Sequence, residues 1–268
     1  MCPASARLIG DGPLLSPGRL VCHCLLVEGA RGLTLIDTGY GLGQIARAKQ
    51  IPRPLRTLAR PRLVEEEAAL RRIERLGFHG DDVRDVVVTH LDPDHAGGLP
   101  DFPRARVHVL ADELDAARAR PSWREQARYW PTLWLHDPEW VPHAPTGERW
   151  NGFASVRPLD GDEILMLPLP GHTRGHAAIA VRIGGRWLVH AGDAYFFRDE
   201  MAKHPRCPIG LAAFQRLIAW DNRARVENQA RLRQLAREHG GEVDLFCAHD
   251  PAELERLASG VAVSTIAV

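Results

Sequence analysis

Apolar positions along the chain come mainly as short, nearly continuous runs. Residues 20–27 and 33–36 form two of them, the pattern of strands covered on both faces, and the second ends at the turn sequence Asp37-Thr38-Gly39. Residues 51–62 carry Pro52, Pro54 and Pro61 among arginines and predict an ordered but irregular surface loop. Leu63, Leu70, Ile73 and Leu76 then recur at helical spacing, with Gly77 as the stop. The β-branched run Val86, Val87, Val88 predicts a buried strand that delivers Thr89-His90 at its C-terminal end, and Arg106–Leu110 predicts another. From residue 111 the character changes. The segment 111–152 holds Trp123, Trp130, Trp134, Trp140 and Trp150 together with five prolines, which predicts one or two helices and an irregular return. Strands resume near 153–158, 164–167, 177–183 and 187–190, followed by a helical region at 211–238, a last strand at 243–247 and a short helix at 252–258. Two β-rich halves with helices outside predict an α/β sandwich, one domain over 1–268 with 111–152 as an insert.

Composition narrows the function. With 45% hydrophobic and 25% charged residues, the chain is neither disordered, collagen-like nor a coiled coil. Lys+Arg 34 balance Asp+Glu 34, so the basic excess that nucleic-acid binding relies on is missing. No run of about 18 apolar residues predicts a membrane helix, and residues 1–18 lack the pattern of a signal peptide. Cys2, Cys22, Cys24, Cys207 and Cys247 are odd in number and irregularly spaced, as expected of reduced core thiols in a cytoplasmic protein.

The sharpest chemical signal is Thr89-His90-Leu91-Asp92-Pro93-Asp94-His95-Ala96-Gly97-Gly98, four metal-ligand side chains within six residues. Three more candidates fall where a predicted strand runs out: His172 in Pro170-Gly171-His172, Asp193 in Gly192-Asp193, and His249 in Ala248-His249-Asp250. Taken singly, each has a plainer reading. The cluster could be a polar loop, Asp193 a helix cap, and His249 a core histidine. As an ordered set they resemble the metallo-β-lactamase superfold, whose hydrolases carry HxHxDH, then Gly-His, then Gly-Asp, then a final His. Asp37-Thr38-Gly39 is similar to an early turn of that family, and lactonase-like and glyoxalase II-like hydrolases are the members it looks like.

The resemblance implies a four-layer αββα sandwich with two divalent metal ions at its edge. One ion would take His90, Asp92 and His172, and the other Asp94, His95 and His249, with Asp193 bridging. Zinc is the expected ion, with iron or manganese as alternatives. A metal-bridging hydroxide would cleave an ester, lactone or thioester of a small-molecule substrate, and Asp94 or a metal-bound water would return the proton to the leaving group. Asp92 departs from the pattern, standing where the family has its second His. It either reaches the metal, making the shell more anionic, or holds a water or a neighbouring ligand. Redox members of the superfold carry a carboxylate there, so a sulfur dioxygenase-like iron oxidoreductase is the alternative enzyme. A binding protein with a decayed metal site is the non-catalytic alternative. Tyr195 resembles, one residue out of step, the substrate-facing Tyr of quorum-signal lactonases, which implies a catalytic hydroxyl aimed at the oxyanion. The Trp-rich segment reads either as a lid lined by Trp123, Tyr129, Trp130 and Trp134, or as a cover for the core or for a homodimer interface.

Overall fold

The computed structural model describes residues 5–10, 12–13, 15–29, 31–159, 164–260 and 265–267; Cys2 lies outside them. The strands are β1 (His23–Gly29), β2 (Gly32–Ile36), β3 (Val83–Val87), β4 (Arg106–Leu110), β5 (Glu139–His143), β6 (Arg149–Trp150), β7 (Phe153–Ala154), β8 (Ile164–Pro168), β9 (Ala177–Ile183), β10 (Arg186–His190), β11 (Val243–Phe246) and β12 (Thr265–Ala267). The helices are α1 (Ala6–Ile9), α2 (Leu42–Ala46), α3 (Arg53–Leu58), α4 (Ala69–Arg75), α5 (Pro93–Ala96), α6 (Ala111–Ala119), α7 (Trp123–Arg128), α8 (Ile209–Ile218), α9 (Asn222–His239) and α10 (Pro251–Gly260).

One sheet has the order β12-β1-β2-β3-β4-β5 and a second the order β11-β10-β9-β8. β1 is antiparallel to both neighbours, whereas β2 to β5 run parallel. Alternation along each strand sends successive side chains to opposite faces. Leu25, Ile36 and Val87 therefore meet Met166, Ile179, Val181 and Phe246 between the sheets. On the outer face of the first sheet Leu35, Val86, Val107 and Val109 pack with Ile73 of α4 and Leu114 of α6. On the outer face of the second, Leu165, Leu167 and Ala180 pack with Leu232 and Leu235 of α9. The layers are thus helix, sheet, sheet, helix, the expected αββα sandwich. Covering both faces explains why the strands read as apolar runs. At about 1.5–3 kcal/mol per buried Leu, Ile, Val or Phe, this core holds the registers that aim the ends of β3, β8, β10 and β11 at one edge.

Several elements differ from expectation. Residues 51–62 include the helix α3, because Pro52 and Pro54 fall before and within its first turn, where the missing N–H leaves no bond unmade. The helical region 211–238 is two helices, broken where Asp221 caps α9 by accepting from the N–H groups of Arg223 and Ala224. The 111–152 segment is not confined to helices and an irregular return: β5 pairs in parallel with β4 and forms the edge of the first sheet. Residues 153–158 give only β7, in a hairpin with β6, and a bridge from Val156 to Met166. Among the described residues no helix is long and apolar enough to cross a membrane.

Candidate metal centre

The donors arrive from four strand ends. β3 leads into His90, and the turn after it carries Asp92 as the N-terminal flank of α5, which holds Asp94 and His95. β8 leads into the loop of His172, β10 into Asp193 and β11 into His249. The His172 loop docks on the break between α8 and α9, where Trp220 N–H donates to His172 O at 3.0 Å and Asp221 N–H to Gly171 O at 2.9 Å. Gly171 allows that approach: a Cβ there would sit 2.4 Å from the Arg225 nitrogen, and its φ is +149°.

A second ring of hydrogen bonds aims the imidazoles. Thr89 donates through N–H and Oγ1 to the two oxygens of Asp37, at 2.7 and 2.8 Å, and its Oγ1 receives His90 Nδ1–H at 2.9 Å. His95 Nδ1–H donates to Asp37 Oδ2 at 2.8 Å, and His249 Nδ1–H to Val21 O at 2.6 Å. These tautomers, assigned from the network, leave each Nε2 as a lone pair facing inward. His176 serves differently: its Nδ1–H donates to Leu169 O at 3.2 Å and its Nε2 accepts Asp193 N–H at 2.9 Å, so it orients the Asp193 backbone.

Asp193 lies between two imidazole sets. Its Oδ2 is 3.4 Å from His172 Nε2 and 3.9 Å from His90 Nε2; its Oδ1 is 3.2 Å from His95 Nε2 and 3.0 Å from His249 Nε2. Asp94 is 4.0 Å from His95 Nε2 and 3.8 Å from His249 Nε2. His90 Nε2, His95 Nε2 and Asp193 Oδ1 are buried without a hydrogen-bond partner. Lone pairs that face carboxylate oxygens at these distances need a proton or a cation between them. The donor trios His90–Asp92–His172 and His90–His95–Asp193 each gather ligand atoms within 4.8 Å of one another. Burial opposes the charge on Asp193, but His249, His95 and His172 outweigh it and hold the carboxyl well below its usual range.

Asp92 splits its two oxygens between partners. Oδ2 is 3.0 Å from His172 Nε2 and 3.6 Å from His90 Nε2, and Oδ1 is 3.5 Å from Nε of Arg128. The other guanidinium nitrogens of Arg128 donate to His172 O at 2.8 Å and to Ile218 O. Burial raises the Asp92 pKa, but Arg128 and His90 overcome it and keep the carboxyl well below its ordinary range; burial and Arg128 together press His172 down to about 4. The negative charge that Asp92 adds in place of an imidazole is therefore met by the positive charge of Arg128.

Arg128 and Glu113 are the residues that sequence reasoning missed, and both come from the Trp-rich segment. Glu113 on α6 accepts Leu91 N–H and Gly175 N–H, each at 3.0 Å, tying the His90 loop to the His172 loop. The aromatic side chains of that segment sit in separate surroundings. Tyr129 donates to Glu113 at 3.1 Å, Trp134 packs edge-on with Trp140 at 6.2 Å against the outer core, and Trp123 is 74% exposed. Tyr195 also departs from its expected role. Its hydroxyl is buried and donates to Glu253 Oε1 of α10 at 3.0 Å within the outer core of the second sheet, so it is not an oxyanion donor in this geometry.

Comparison with known proteins agrees with the fold. Residues 17–235 match the family described as the Metallo-beta-lactamase superfamily. A probable metallo-hydrolase of Mycobacterium tuberculosis is 44% identical over 245 residues, covering 91% of this chain and 78% of that protein. An acyl-coenzyme A thioesterase of Homo sapiens is 30% identical over 219 residues, covering 75% of this chain and 69% of that protein. The solved structure of an N-acyl homoserine lactone hydrolase, with its product N-hexanoyl-L-homoserine bound at the catalytic metal centre, superposes with a TM-score of 0.70 at 18% identity, over 96% of this chain and 92% of that one. On its fold, the family match across most of its length and the 44% identical relative, the chain belongs to the metallo-beta-lactamase superfamily and is a metallo-hydrolase.

Proposed function

We propose that the chain is a two-metal acyl hydrolase that opens an ester, lactone or thioester of a small molecule. The observation that carries the reading is Asp193, which turns one oxygen to His90 and His172 and the other to His95 and His249. His90, Asp92 and His172 would hold one divalent ion and Asp94, His95 and His249 the second, with zinc favoured by the imidazole-rich set. When bound, the pair supplies Lewis acidity to a carbonyl oxygen and acidifies a water molecule.

The chain's own residues do the rest. Asp37 and Val21 O keep the His95 and His249 lone pairs inward. Asp94, with its side chain 18% exposed against 4% for Asp193, is open enough to take a proton from water and give it to the leaving oxygen or sulfur. Tyr40, beside Asp94, has its phenol pushed well above the ordinary range by burial and then by the Asp94 charge, so it stays a neutral hydrogen-bond donor. Phe196 stacks on His249 at 4.7 Å, and Phe214 of α8 meets Phe196 edge-on at 5.9 Å. This apolar flank suits an acyl chain. The similarity to a lactone hydrolase and to an acyl-coenzyme A thioesterase supports the same class. In this reading the 111–152 segment builds the site through Glu113 and Arg128 rather than covering it.

The test is turnover of zinc-loaded protein on a panel of esters, lactones and thioesters of graded acyl length, with chelated protein and His90→Ala as controls. The expected result is metal-dependent turnover, lost in both controls, with Phe214→Ala raising KM most for the longer chains. No metal-dependent turnover on any class would overturn the reading. So would oxygen uptake with a thiol substrate by iron-loaded protein that hydrolyses nothing on the panel.

A further inference from the structure

We infer that Cys22 is a ligand of the second metal ion, so that this ion is held by a thiolate in addition to Asp94, His95 and His249. The inference rests on the two-metal reading above and adds a donor that the ligand motif does not contain.

The geometry is specific. Ligand atoms of Cys22, Asp94 and His249 all lie within 4.8 Å of one another, the same spacing found for the trios that contain His90. The place of Cys22 is fixed by backbone pairing at the mouth of β1: Val21 N–H donates to His249 O at 3.2 Å, His23 N–H donates to Ala248 O at 2.9 Å, and His249 Nδ1–H donates to Val21 O at 2.6 Å. Residue 22 is therefore carried alongside the loop that presents His249.

A buried cysteine is more often a small apolar filler, and its neighbour shows what that looks like. Cys24 is 1% exposed and belongs to the apolar cluster on the outer face of the first sheet. Cys22 is equally buried in kind, at 4%, yet among the described residues it belongs to none of the four apolar clusters and faces acid and imidazole instead.

The chemical consequence is an unequal pair. With Cys22, Asp94, His95 and His249, and Asp193 shared, the second ion would have five protein donors. The first would have four, His90, Asp92, His172 and the shared Asp193, and so would be the less enclosed of the two. A thiolate also biases the second site toward zinc, cobalt or ferrous iron and away from manganese or magnesium.

Cobalt(II) reads this directly. Metal-free full-length protein is titrated with cobalt(II) and followed by absorbance, in wild type, Cys22→Ala, Cys22→Ser and the control Cys24→Ser. The expected result is a sulfur-to-cobalt charge-transfer band in the near ultraviolet for wild type and Cys24→Ser. The Cys22 variants should lack it while keeping the visible ligand-field bands. They should also release one cobalt equivalent to a competing chelator at least about 10-fold more readily. Two cobalt equivalents in wild type without the charge-transfer band, or a band that survives in Cys22→Ala, would overturn the inference and leave the two-metal reading standing. Failure of wild type to take up cobalt would overturn both.

Discussion

Replacing Arg128 by Met removes a charge while keeping an unbranched stem, and it tests how Asp92 is tolerated in this centre. The guanidinium is 3.5 Å from Asp92 Oδ1 and donates to His172 O and Ile218 O, and both side chains of the pair are only 14% exposed. Asp92 Oδ1 is buried with no hydrogen-bond partner, so the ion pair with Arg128 is what compensates it. Removing one member of a buried pair costs about 3–5 kcal/mol. The lower end, about 3 kcal/mol, applies here because solvent still reaches both groups. For a chain of this length that corresponds to a fall in Tm of about 6 °C in metal-free protein. The assay is urea and thermal unfolding of wild type, Arg128→Met, Asp92→Asn and the double variant, each with chelator and each zinc-loaded. In metal-free protein the double variant should lose at least about 1.5 kcal/mol less than the sum of the singles, the signature of two coupled neighbours. Zinc should shrink the Arg128→Met penalty, because a cation near Oδ2 then supplies part of the missing positive charge. A metal-free penalty under about 1 kcal/mol, or additivity within about 0.5 kcal/mol, would refute the charge-compensation argument.

Asp37→Asn should weaken retention of metal by about 10–100-fold in chelator competition, because it loosens His95 and Thr89 without deleting a ligand; unchanged retention would count against the orienting role. Burial lifts Glu253 from 4.5 to about 7, so its neutral form stabilises the fold fully below about pH 4.5 and that contribution drains as pH rises through 7. At ~1.4 kcal/mol per pKa unit the span is about 3 kcal/mol. Glu253→Gln should flatten stability between pH 5 and 8 by urea titration, and a slope equal to wild type would contradict the assignment. Tyr195→Phe should cost about 1–2 kcal/mol of stability through the lost bond to Glu253 while leaving kcat within about twofold; a hundredfold fall in kcat would return the phenol to the catalytic site.

The residues that gather at the sandwich edge were legible in the sequence because metal-ligand chemistry confines the candidates to few residue types and the fold confines them to strand ends. His90, Asp92, His172, Asp193 and His249 each follow an apolar run that any burial pattern picks out. Arg128 gave no such signal. Among many arginines in a polar, Trp-rich stretch it looks like any solvated side chain, and only the packing of α7 against the His172 loop gives it a role. β5 was missed because Glu139–His143 is partly exposed and contains Pro142, which suits an edge strand and little else. Tyr195 was misjudged because its likeness to a known position was off by one residue, and the phenol is engaged by Glu253 on α10.

The pairing of Val21 with His249 joins residues 228 positions apart, and His190 reaches His23 O across 167. A chain leaving the ribosome can present His90, Asp92 and His95 early, yet the His249 loop reaches them only after β11 has emerged and the stretch behind it has met the start of β1. Closure of the candidate centre thereby waits on contacts between distant parts of the chain, and a shorter nascent piece carries only the half built on β3 and α5.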